Sequence, residues 1–172
     1  MFDKFGEFDS VEELNRAAAA QAKEGDEEAL VALALENGLD KEDAEDYMDG
    51  VTENLATPVQ AAIGKLKVEA EHLKLAGVLE DWKDAVAEMC MEDEEAQRAI
   101  RRKRKCLRDC LAALLKFSFE NKVQVSEEVV KATKVILNGK EQHMPGPMYM
   151  GIPNKSQVKK IIRKYYDLGG AQ

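Results

Sequence analysis

Residue types that usually carry catalysis and metal binding are scarce in this sequence, and each scarcity removes a class of function. Only two histidines occur in 172 residues, His72 and His143, and they stand far apart. The three cysteines, Cys90, Cys106 and Cys110, make an odd count without a secretion signal, which argues against disulfides. Cys106 and Cys110 are one helical turn apart, but no second Cys or His pair follows at zinc spacing, and a closed zinc site takes about four ligands. No metal and no cofactor are expected, and the thiols read as buried helical residues. No apolar run approaches the roughly 18 residues that would read as a membrane span. The opening Met1–Phe5 lacks the basic and apolar regions of a signal peptide, so the chain is expected to stay in the cytoplasm. Nucleophile–base pairs, phosphate-cradling glycine loops and nucleotide fingerprints are absent too. The expectation is a protein with no catalytic residues, not an enzyme.

What is abundant is helix-forming. Hydrophobic residues make up 45% and charged residues 34%, while aromatics stand at 6%, and alanine, leucine, glutamate and lysine dominate. Ser10 with Glu13 forms a capping box ahead of Val11, Leu14 and Ala17. Gly25 closes that helix, Asp26 caps the next, and Asn37-Gly38 stops it. Asp40 opens a short acidic helix ended by Gly50. Thr57-Pro58 starts another, with the stripe Val59, Ala62, Ile63, Leu66, Ala70, Leu73 tolerating Gly64. Past Gly77, Leu79, Trp82, Val86 and Met89 mark a fifth, with Trp82 as core anchor. The pattern predicts one long helix over 93–121, another over 126–137, a Pro/Gly-rich loop over 138–154, and a last helix over 156–168 stopped by Gly169-Gly170. Val123-Gln124-Val125 hints at a strand too short to build a sheet. The expected fold is all-α, a compact bundle of about seven helices.

Charge is segregated along the chain. Up to Glu95 there are 27 acidic residues against 8 basic, and from Ala96 onward 6 against 17. Residues 1–92 read as an acidic helical region and 93–172 as a basic one, the two forming either separate units or one continuous domain. Such asymmetry points to nucleic acid or an oppositely charged protein as partner, or to halves that neutralise each other. On the long helix, Ile100, Leu107, Leu111 and Leu114 share one arc. Arg98, Arg101, Arg102, Lys105 and Arg108 share the opposite one, with Lys103 and Arg104 interrupting the apolar side. Asp109 is the only acid between Ala96 and Phe119, so this face suits phosphates or an acidic surface. The last helix repeats the design, with Val158, Ile161, Ile162, Tyr165 and Leu168 on one arc and Lys159, Lys160, Arg163 and Lys164 on the other. Reversing charge at Arg101, Arg102, Lys105 and Arg108 is expected to weaken partner binding and leave the fold intact. The acidic blocks 26–28, 42–49 and 92–95 offer a second possibility, mimicry of nucleic-acid phosphates.

The opening Met1-Phe2-Asp3-Lys4-Phe5-Gly6-Glu7-Phe8-Asp9-Ser10 and the stretch from Leu55-Ala56-Thr57-Pro58 to Asp81-Trp82 resemble small proteins of phages and bacterial mobile elements. The basic run from Arg101 to Leu111 and the terminal Lys160-Ile161-Ile162-Arg163-Lys164-Tyr165-Tyr166 resemble the PcfK-like group, whose neighbourhood includes anti-CRISPR proteins that inhibit Cas9. The resemblance covers most of the chain loosely and carries no catalytic or ligand motif. It implies an inhibitor of type II Cas9 in the cytoplasm of a bacterial host, binding the nuclease or its guide RNA complex. The alternative from the basic helices alone is a DNA- or RNA-binding accessory protein of phage or plasmid replication or transfer. Either acidic or basic half could make the contact.

Overall fold

The computed structural model describes residues 2 and 4–169. Among these the chain runs α1 (Val11–Glu24), α2 (Glu27–Glu36), α3 (Lys41–Met48), α4 (Pro58–Leu73), α5 (Val78–Glu92), α6 (Glu94–Arg101), α7 (Leu107–Glu120), β1 (Val123–Gln124), α8 (Glu127–Ala132), β2 (Lys134–Leu137), β3 (Lys140–His143), β4 (Tyr149–Met150) and α9 (Lys155–Tyr165). The fold is mostly helical, with two small two-stranded sheets.

The local start and stop signals of the first half are realised. Ser10 Oγ accepts from Glu13 N, while the Glu13 carboxylate reaches one residue further, to Asp9 N at 2.8 Å. Asp26 Oδ1 accepts from Ala29 N, Thr57 and Gln60 close a reciprocal box at α4, and Gly25 and Gly38 take left-handed φ of 71° and 75° past their helices.

Two apolar clusters meet along α4. One holds Leu14, Ala18, Leu30, Leu33, Ala44, Leu55 and Ala61 between α1, α2, α3 and the start of α4. The other gathers Ala62, Leu66, Trp82, Val86, Ile100, Leu107, Leu114, Ile162 and Tyr166 from α4, α5, α6, α7 and α9. The charge boundary near Asp93 lies inside this second cluster, where α5 packs on α6, α7 and α9.

Three expectations are corrected. The single long helix is two, broken between Arg101 and Leu107. Continued as helix, Lys103 and Arg104 would fall on the apolar side, so the chain turns out of the helix there and restarts. The helix over 126–137 stops at Ala132, and residues 134–143 form a β-hairpin in which Leu137 faces Lys140. Asn138 and Gly139 both have positive φ, 54° and 75°, the backbone of a two-residue hairpin turn that Asn-Gly favours. Val123-Gln124 does pair, antiparallel with Tyr149-Met150. That pairing is seated by Gly151, where a side chain would collide with the Ser118 carbonyl of α7. At the end of the chain α9 stops at Tyr165; Gly170, read as part of the stop, lies outside the described residues.

Candidate functional site

The site begins with a buried lysine. Lys65 lies on the face of α4 that also carries Ala62, Leu66 and Glu69, and its side chain is 0% exposed. An ammonium there must find partners for its three protons. Nζ donates to Arg102 O at 2.6 Å and to Lys105 O at 2.7 Å, and pairs with Glu7 Oε1 at 2.6 Å. Lys105 N donates back to Arg102 O at 3.1 Å, so Arg102–Lys105 is a four-residue turn with Lys103 and Arg104 at its corners. The inward carbonyls are held by Lys65, and the side chains of Arg102, Lys103 and Arg104 are exposed.

Other elements fix the same turn. Glu69 Oε2 accepts from Leu107 N at 2.6 Å, placing a carboxylate at the positive N-terminal end of α7. Burial pushes the Glu69 carboxyl above its usual range, against the pull of the Leu107 N–H and of Lys65. Lys103 N donates to Asp9 Oδ1 at 2.9 Å, and Cys106 N to the Tyr165 hydroxyl at 2.9 Å. Lys105 Nζ leaves the surface to bond Tyr165 O, pairs with Asp167 at 2.7 Å, and lies 5.0 Å from the Tyr165 ring centre. The turn is thus pinned from α4, from the N-terminal segment and from the end of α9.

Arg101 anchors α6 below the turn. It is 2% exposed, and Nη2 donates to Asn37 Oδ1 at 2.7 Å, while Asn37 Nδ2 donates to Leu33 O. Asn37 reaches this position because Gly38 and Gly64 let the end of α2 lie directly on the α4 backbone; a Cβ on Gly64 would collide with Asn37 O.

The nine basic residues picked from sequence therefore separate. Arg101 is a buried core residue, not a member of a solvent-facing arc, because the helix that defined the arc is broken. Lys105 and Arg163 are mostly covered: Arg163 bonds Asp93 at 3.1 Å and the Gly169 carbonyl. Arg98 pairs with Glu94 at 3.1 Å and Arg108 with Asp109 at 2.8 Å, both at the surface. Lys159 lies 3.9 Å from Glu92, and with Lys155 and Arg163 it lines the edge of α9 that faces the acidic residues of α5 and the α5–α6 junction. Arg102, Lys160 and Lys164 are exposed and, among the described residues, in no ion pair. Tyr166 rather than Tyr165 is the buried tyrosine, at 1% exposure.

Lys103 and Arg104, which interrupt the apolar arc in the sequence, are the exposed corners of the turn. The network below it was missed, although its signal was present: Lys65 and Glu69 fall at i, i+3, i+4 and i+7 spacing with Ala62 and Leu66, so two charges sit on an apolar face. Burial raises the Cys90 and Cys110 thiols to about 11 and about 12, which leaves little thiolate at neutral pH. No described helix is long and apolar enough to cross a membrane, and no group of three or more metal-ligating side chains occurs among the described residues. Compared with known proteins, the chain matches no family model, no curated protein and no solved structure.

Proposed function

We propose that this chain is a non-catalytic binding protein that inhibits type II Cas9 by stoichiometric association with the nuclease or its guide RNA complex, blocking DNA binding or cleavage. The target is suggested by the resemblance of the opening segment to small proteins of phages and mobile elements, and of the basic run and terminal helix to the PcfK-like group, whose neighbourhood includes anti-CRISPR proteins. The observation that carries the mode of action is the turn Arg102-Lys103-Arg104. Its three cations are exposed on a backbone that Lys65, Asp9 and Tyr165 hold in place. A backbone already held in place adds no loop-ordering cost when the cations meet phosphates, and guanidinium suits phosphate geometry. A guide-loaded Cas9 presents such phosphates along its RNA.

Titration into a Cas9 cleavage reaction tests this. Inhibition should be complete near one-to-one. Full inhibition at a small fraction of the Cas9 concentration overturns binding as the mechanism, and none at excess overturns the target for the enzyme used. In the triple variant R102E/K103E/R104E, half-inhibition should need about tenfold more protein or beyond, since one charge-assisted hydrogen bond contributes about 1.5–3 kcal/mol, with the helical circular dichroism unchanged. Unchanged inhibition by that variant removes the turn from the contact. The second reading, a nucleic-acid-binding accessory protein, rests on the same cations. It is favoured if the isolated chain binds DNA or RNA tightly with a steep salt slope.

A further inference from the structure

The outer face of α7 is apolar and uncovered. Leu115 is 59% exposed and Phe119 is 72% exposed, one helical turn apart, with Ala112 on the same face one turn before Leu115. Tyr149 of β4, 53% exposed, and Gly151 stand beside them and form the other wall of a shallow groove. The buried side of this helix, Leu107, Cys110, Leu111 and Leu114, is already used by the core, so the outer stripe contributes nothing to folding of the single chain. A standard interface takes about 800 Å² from each partner, and side chains of this size at half exposure or more supply much of it. Contiguous apolar surface on this scale marks an association site.

The charges beside the stripe specify the occupant. On a wheel of 100° per residue, Lys116 and Glu120 lie together on one flank of the Leu115–Phe119 stripe, separated by one turn along the axis. Within the chain they are only loosely paired, at 3.8 Å. A two-fold axis perpendicular to α7 and passing near its Phe117 makes a second copy run antiparallel and keeps this flank on the same side. Leu115 then meets Phe119 of the other copy, and Lys116 stands opposite the other copy's Glu120, twice over. A face that carries both signs in this order is complementary to itself, the requirement of an isologous dimer. Lys122, whose Nζ lies over the Phe119 ring at 4.2 Å, stands at the end of the stripe, level with the small Ala112 of the other copy. We propose that this face binds a second copy of the same chain, making an antiparallel α7–α7 homodimer. This is independent of the Cas9 reading.

Sedimentation equilibrium over a concentration series decides it. The full chain should show a monomer–dimer equilibrium, and L115E/F119E should be monomeric throughout, with circular dichroism and thermal unfolding showing that it is still folded. Lys116→Glu alone should weaken the dimer, because it sets two carboxylates against each other, and the exchange K116E/E120K should restore it. A wild-type chain that stays monomeric to the highest concentration overturns the proposal. So does a dimer that survives L115E/F119E, which would place the contact elsewhere. So does a monomer whose complex with guide-loaded Cas9 is lost in L115E/F119E, which would assign the face to a different protein.

Discussion

Lys65 shows how one residue can decide a surface it does not reach. Its ammonium is fully buried, yet its hydrogen bonds end on the two carbonyls that frame the basic turn. Replacing one member of a buried, hydrogen-bonded charge group strands the others. Lys65→Met keeps comparable volume and removes all three donors, leaving Glu7, Glu69 and both carbonyls without their partner. The expected loss is about 3–5 kcal/mol, read as a fall in the urea midpoint. A variant of wild-type stability would mean the ammonium contributes no more than its own desolvation cost. The same logic revises the reversal of Arg101, Arg102, Lys105 and Arg108 as a surface probe. Arg101 is bonded to Asn37 in the interior, and Lys105 ties the turn to Tyr165 and Asp167, so reversing that set is expected to disrupt the fold, whereas reversing Arg102, Lys103 and Arg104 together is expected to leave it intact.

At the scale of elements, the contact between the end of α2 and the middle of α4 orders the network. Gly64 sits inside α4, where alanine ordinarily stabilises a helix by about 0.5–1 kcal/mol. Here the methyl would strike the Asn37 carbonyl, pushing α2 away and withdrawing Asn37 from Arg101. Gly64→Ala is therefore expected to lower the melting temperature despite its better propensity. A raised melting temperature would show that α2 yields without cost. Elements built on short-range signals were legible: caps at Ser10, Asp26 and Thr57 and stops at Gly25 and Gly38 act within about one turn of the residue that carries them. The break at Arg102 was not, because α7 begins where Glu69, 38 residues earlier, accepts from Leu107 N. The β-hairpin was legible in principle through Asn138-Gly139, which terminates a helix as readily as it reverses a strand.

Across the whole molecule, the two charge regions are stitched together at α9. Arg163 meets Asp93, Lys159 approaches Glu92 and Lys155 approaches Glu88, while within the basic region Lys105 meets Asp167. The hydrogen bond and charge of Lys105 hold the Asp167 carboxyl below its ordinary 3.8. For Asp93 desolvation pushes upward, but the bond from Arg163 and two backbone N–H groups prevail and lower it. Both carboxyls thus bind protons more readily unfolded than folded, so their contribution is present above pH 3.8 and is lost as pH falls through the lowered folded values. Glu69 works oppositely: its raised value favours the folded state in acid, an advantage lost as pH climbs past 4.5. Melting temperature followed from pH 5 downward should drop, and Asp167→Asn should flatten that acid limb. An unchanged limb would show that the Lys105–Asp167 pair does not hold α9. The sequence by itself determined the helical class, most caps and stops, and the identity of the basic segment, since these depend on neighbours a few residues away. Which basic residues face solvent was decided only by tertiary structure, because a buried Lys65, a glycine-to-glycine contact and a carboxylate at Leu107 N are partnerships between residues distant in the chain.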